Sequence, residues 1–129
     1  MILVDTDVLI AHLRGVDAAR DWLIHARTEA GGRLAASAVT AAEILGGMRS
    51  PERAAVARLL ATLHLHPVNE VVARRAGELM REYRRSHGGI GLGDYLVAAT
   101  AQVQGFDLAT LNVEHFPMFS ALRPPFAVC

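Results

Sequence analysis

The sequence predicts a three-layer α/β domain with a short, mostly parallel central sheet flanked by helices. Apolar runs too short for helices alternate with helix-period stretches along the chain, and acids recur where a strand gives way to a helix. Size agrees: 129 residues can bury a real core without disulfides, and they fit one domain spanning residues 1–129.

The apolar opening Met1-Ile2-Leu3-Val4 reads as a buried strand, and Asp5-Thr6-Asp7 leads into the amphipathic stretch Val8-Leu9-Ile10. Val16, Ala19, Trp22, Leu23, Ala26 and Ala30 then follow helical spacing up to a Gly31-Gly32 stop. Leu34-Ala35-Ala36 is a short buried strand. Thr40 opens a helix with Ala41, Ile44, Leu45 and Met48 on one side, ending near Gly46-Gly47.

Ser50 as cap and Pro51 at the first helical position start another helix, with Val56, Leu59, Leu60 and Leu63 inward. Leu65-His66-Pro67-Val68 reads as a strand. From Asn69 to Ser86 the amphipathic pattern is clearest, with Val72, Ala76, Leu79, Met80 and Tyr83 inward and Arg74, Glu78, Arg81, Glu82 and Arg85 outward. His87-Gly88-Gly89 breaks that helix. A small-residue helix over Asp94 to Gln104 is closed by Gly105, Phe106 to Leu111 supplies a strand, and Phe126-Ala127-Val128 is a candidate edge strand.

Composition excludes several classes. With 52% hydrophobic and 20% charged residues the chain is globular, and no apolar run approaches the roughly 20 residues that span a bilayer. The opening lacks the pattern of a signal peptide, so the expected location is cytoplasmic and no membrane partner is expected. Cys129 is the only cysteine, which rules out an intramolecular disulfide and a thiolate zinc cluster.

The formal net charge is zero, so nucleic-acid contact has to come from local patches. All 13 cationic side chains are arginine. Lysine-dependent reactions are therefore excluded, including those of the aspartyl-phosphate phosphotransferases that an Asp-x-Asp after a first strand also suggests.

Three acids occupy comparable positions: Asp5 after the first strand, Glu43 in the first turn of the helix after the second, and Asp94 at the start of the helix feeding the last inner strand. Each also has an ordinary reading. Asp5 can serve a turn, Thr40 and Glu43 form a T-x-x-E capping box, and Asp94 can complement its helix dipole. In a parallel sheet, however, all three junctions can share one edge, where crowded carboxylates repel unless a cation neutralises them. Mg²⁺ or Mn²⁺ suits such oxygen donors, and metal-assisted phosphodiester hydrolysis is the reaction class that follows.

Other constellations are weaker. His64 and His66 would share a strand face, but no third nitrogen or sulfur ligand follows at a zinc-site interval. The serines lack a G-x-S-x-G elbow, and Gly88 to Gly93 lacks the lysine and spacing of a phosphate loop. Arg81, Arg84, Arg85 and His87 form the best basic patch. It reads either as a solvated helix face or as a surface for RNA phosphates or an acidic partner segment.

Four blocks in order carry a resemblance: Ile2 to Asp7; Ser37 to Ile44 with Gly47; Gly93 to Ala101; and Ala109 to Phe116. They resemble the blocks of PIN-domain ribonucleases and, more narrowly, the VapC toxins of bacterial toxin–antitoxin pairs. The resemblance implies an endoribonuclease with Mg²⁺ or Mn²⁺ held by Asp5, Glu43 and Asp94 and a metal-bound water attacking RNA. It also implies a homodimer and a small VapB-like antitoxin whose C-terminal segment crosses helices near the site.

Many relatives place an acid in the fourth block, where this chain has Asn112, Glu114 and His115. Asn112 is read as a water-positioning residue beside the metal ligands, His115 as structural or substrate-facing, and Glu114 as solvent-exposed. Thr6 and Thr110 are candidate hydroxyls, and Asp7 is read as the cap of the first helix. The missing acid motivates one alternative, a PIN-like protein whose site has decayed into a protein- or RNA-binding module. Leu13, Trp22 and Leu60 are expected to be exposed and to serve the dimer or the antitoxin.

Overall fold

A computed structural model describes residues 1–127 of the chain. Four short strands, Ile2–Val4 (β1), Leu34–Ser37 (β2), Leu63–His66 (β3) and Asp107–Ala109 (β4), form one sheet in the order β3-β2-β1-β4. All neighbouring pairs are parallel, with Leu3 opposite both Ala35 and Leu108, and Ala36 opposite Leu65. Every crossover therefore carries helix. Thr6–Leu13 (α1), Asp17–Glu29 (α2), Ala38–Gly47 (α3) and Arg53–Ala61 (α4) precede β3, and Glu70–Tyr83 (α5) and Leu92–Gln104 (α6) precede β4.

Strand alternation divides the core into two layers. Leu3, Ala35 and Leu108 point to one face, where they pack with Val72, Ala76 and Leu79 of α5 and Tyr95, Val97, Ala98 and Ala101 of α6. Val4, Leu34, Ala36 and Leu63 point to the other, against Val8, Leu9, Leu23, Ala26, Ile44 and Val56. The small residues of α6 let it lie close to both the sheet and α5. Gly105 ends α6 in the left-handed region at φ +70°, where a Cβ would be strained, and turns the chain into β4.

Several boundaries differ from the sequence reading. The third helix begins at Ala38, capped by the side chain of buried Ser37 on Val39 N, so Thr40 and Glu43 form no capping box. Glu43 is thereby released from a helix-end role. The strand expected at Leu65 to Val68 runs over Leu63–His66, because pairing with the whole of β2 sets its register.

Ser50 and Pro51 begin a 3₁₀ turn, Ser50–Glu52, whose cap is Arg49, and the α-helix follows at Arg53. The last helix begins one turn fragment earlier than expected, at Leu92, with Gly91 as cap. No strand forms at Phe126 or Ala127, and Val128 and Cys129 lie outside the described residues. Leu13, Trp22 and Leu60 are half-buried against the second core layer, not exposed. Among the described residues no helix is long and apolar enough to cross a membrane.

Candidate active site

In the order β3-β2-β1-β4, the chain leaves β1 toward β2 on one side and returns to β1 from the other side as β4. The crevice beyond the carboxyl ends of β1 and β4 is thus the switch point of the sheet, where open parallel sheets place their ligands. Asp5 follows β1 directly and Thr110 follows β4 directly. The ladder extends one step into the site, with Asp5 N donating to Ala109 O at 2.8 Å.

Asp5 is buried at 7% exposure, and both its oxygens are engaged. Thr6 N donates to Oδ1 and the Thr110 hydroxyl to Oδ2, each at 2.8 Å. Burial pushes its carboxyl up, helped by the negative charge of Asp7 and, more weakly, of Asp94. Against the two hydrogen bonds, these bring it to about 7. Asp5, and not Asp7, caps α1. Asp7 is held elsewhere, accepting from Leu111 N at 3.1 Å and lying 3.2 Å from the Thr110 hydroxyl.

Glu43 reaches the site from α3, and the Thr6 hydroxyl lies 2.7 Å from its Oε1 and 3.1 Å from the Thr40 hydroxyl. With one hydrogen to give, Thr6 donates to the carboxylate. Its other oxygen lies beside Gly93, where a Cβ would stand 3.5 Å from Oε2. Glu43 therefore lies against the first turn of α6, the turn that carries Asp94.

Asp94 Oδ2 accepts from Gly91 N at 3.1 Å and faces His115 Nδ1 at 3.0 Å. Asn112 Nδ2 lies 2.9 Å from the same His115 nitrogen. A neutral Nδ1 accepts from Asn112, whereas a protonated one donates to Asp94, so the two contacts alternate with tautomer and amide orientation. Glu114 is exposed, as expected.

The sequence-predicted residues Asp5, Glu43, Asp94 and Asn112 all reach this edge, joined by Thr6, Thr40, Thr110 and His115. The His115 contact with Asp94 was not foreseen. Its signal was the three-residue spacing from Asn112 to His115 around a 3₁₀ turn, Val113–His115. His64 and His66 stack at 4.4 Å on β3, and His66 also meets Phe106 edge-on.

Among the described residues no arginine pairs with Asp5, Asp7, Glu43 or Asp94; the arginine ion pairs lie elsewhere. The donor set, oxygen-rich and without an arginine partner among the described residues, fits Mg²⁺ or Mn²⁺ in kind and charge. Among the described residues, however, no three His, Cys, Asp or Glu side chains already converge to hold one ion.

A family model described as PIN domain matches residues 2–117. The chain is 67% identical over 128 residues to Ribonuclease VapC10 of Mycobacterium tuberculosis, covering 99% of this chain and 95% of that protein. It is 44% identical to Ribonuclease VapC19 of the same species, covering 98% and 100%. Among solved structures it matches a chain of a toxin-antitoxin complex from Klebsiella pneumoniae with a TM-score of 0.80 at 26% identity, covering 99% and 100%.

Proposed function

Because this chain belongs to the PIN-domain family, we propose that it is a metal-dependent endoribonuclease, the toxin of a type II toxin–antitoxin pair, acting on RNA phosphodiester bonds. The observation that carries this reading is the acidic cluster at the β1/β4 switch point, which no arginine neutralises among the described residues. Asp5, Asp94 and Glu43 are the residues to hold Mg²⁺ or Mn²⁺, directly or through its waters. When bound, such an ion polarises a phosphoryl oxygen and lowers the pKa of a coordinated water.

The protein's own groups prepare that site. Thr110 fixes the orientation of Asp5, Thr6 fixes Glu43, and the Gly91 N–H fixes Asp94. Asp5, raised to about 7, is able to hold a proton near neutrality when no cation is present, and a cation would favour its charged form. Asn112 and His115 stand on the open side of Asp94, where they can orient a water or the substrate.

The antitoxin partner fits a second surface. A groove of about 320 Å³ runs between α1, α2 and α4, with Leu13, Ile24 and Leu59 along it and Arg20, Arg27 and Arg58 around it. An amphipathic helix with acidic flanks matches that lining. A homodimer and a cytoplasmic location complete the reading.

The test is incubation of wild-type and Asp94→Asn protein with total cellular RNA, with and without Mn²⁺, followed by mapping of cut ends. Cuts that require both Asp94 and metal support the enzyme. Stable RNA or protein binding with no cleavage by the wild type supports the decayed binding module instead.

A further inference from the structure

The last turns of α5 carry a second feature that the acidic site does not use. Arg81, Arg84 and Arg85, with Gly77 and Met80, line a groove of about 550 Å³. All three arginines are exposed, and among the described residues none forms an ion pair. The nearest acids on the helix do not neutralise them: Glu78 is engaged by Arg75 at 2.9 Å, and Glu82 makes no ion pair with them.

Gly77 adds an independent observation. It sits in the middle of a 14-residue helix with the most amphipathic pattern in the chain, where glycine is destabilising relative to alanine. Folding does not demand it, since a Cβ there would meet nothing within 4 Å. Its consequence is a bare stretch of helix backbone four residues before Arg81, which opens room for a ligand to approach between the guanidinium groups.

The loop that follows the groove leads to the acidic site. From Arg85 the chain runs through Ser86 and His87, whose ring packs edge-on against Tyr83 at 5.7 Å, to Gly89. A Cβ on Gly89 would stand 4.0 Å from His115 Nε2, and His115 touches Asp94. Four residues span at most about 14 Å, a distance that a few nucleotides cover.

We propose that the Arg81–Arg84–Arg85 groove, floored by Gly77, holds the phosphate backbone of the RNA strand whose scissile bond lies at Asp94. The assignment rests on the ribonuclease reading above. Guanidinium forks match phosphate oxygens in geometry as well as charge. A second copy is a poor occupant, because a two-fold contact centred on this groove would set these arginines against their own equivalents.

The experiment measures binding of a short, fluorescein-labelled single-stranded RNA in EDTA, where cleavage is blocked, across a range of salt concentrations. The triple variant Arg81→Gln, Arg84→Gln, Arg85→Gln should weaken binding and lower the slope of log affinity against log salt by about 2, at roughly 0.7 per lost phosphate contact. Arg74→Gln, whose guanidinium pairs with Glu70, should leave the slope unchanged. Gly77→Leu, a better helix former, should raise thermal stability yet weaken RNA binding.

An unchanged slope in a triple variant that is folded by circular dichroism would overturn the proposal. So would a change in elution volume with RNA affinity retained, which would assign the face to a second copy. Cleavage by the wild type alongside normal RNA binding by the triple variant would remove this proposal and leave the ribonuclease reading standing. No cleavage by the wild type would remove the ribonuclease reading on its own.

Discussion

Thr110 and Asp5, separated by 105 positions in sequence, meet at 2.8 Å through a hydroxyl donated to Oδ2. Parallel pairing of β1 with β4 makes this meeting unavoidable, since each residue is the first beyond its strand. The contact opposes burial and the charge of Asp7, so it favours the ionised form of Asp5 that a cation requires. Thr110→Val should therefore lower Mn²⁺ affinity about tenfold or more, the scale on which groups that support metal ligands act. Calorimetric titration of Mn²⁺ into both proteins checks this.

Without metal, the charged form of Asp5 is a liability to the fold. Its folded value of about 7 lies above the ordinary 3.8, so the folded state holds the proton longer than the unfolded chain. Stability is then unpenalised below the ordinary value, falls as pH rises between the two, and carries the full penalty above about 7. The gap corresponds to a penalty on the order of 4 kcal/mol. Asp5→Asn should abolish RNA cleavage and, in EDTA at about pH 8, raise the unfolding free energy by up to that amount. Near pH 5 the gain should shrink, as denaturant titrations at both pH values would show.

The architecture was legible because periodicity reports which face is buried, and α5, with Val72, Ala76 and Leu79 inside, is the clearest example. Boundaries were less legible. Thr40 looks like a cap beside Glu43, yet Ser37 already caps that helix, and the sequence around Thr40 holds no trace of Thr6, its partner 34 positions away. Asp5 was visible at a strand-to-helix junction and Asp94 near a helix start, whereas the His115 contact depends on how a 3₁₀ turn folds back on α6. Whether the carboxylates converge is a matter of ångströms, which no spacing rule fixes.

Gly105 links the helix that carries Asp94 to the strand that Thr110 follows, at φ +70°. Gly105→Ala has open space for its methyl group but strains the left-handed backbone. It should destabilise the fold by about 1 kcal/mol, lowering the melting temperature by about 4 °C. The positions of RNA cuts should not change, because the site residues remain in place.

Ile24 projects from α2 along the groove assigned to the antitoxin and is 59% exposed. Ile24→Asp should leave folding and RNA cleavage intact. Antitoxin affinity should fall by about 30-fold, the effect of losing a contact worth roughly 2 kcal/mol at an interface centre. Co-purification and calorimetry with a cognate antitoxin would measure it.

In the proposed function, acids from three separate segments serve one divalent cation at the β1/β4 switch point. The most direct test is a Mn²⁺ titration, followed by electron paramagnetic resonance, of the wild type and of the Asp5→Asn, Glu43→Gln and Asp94→Asn variants. A saturable site in the wild type that each substitution weakens or removes is the expected result. Equal Mn²⁺ binding by all four proteins would contradict it.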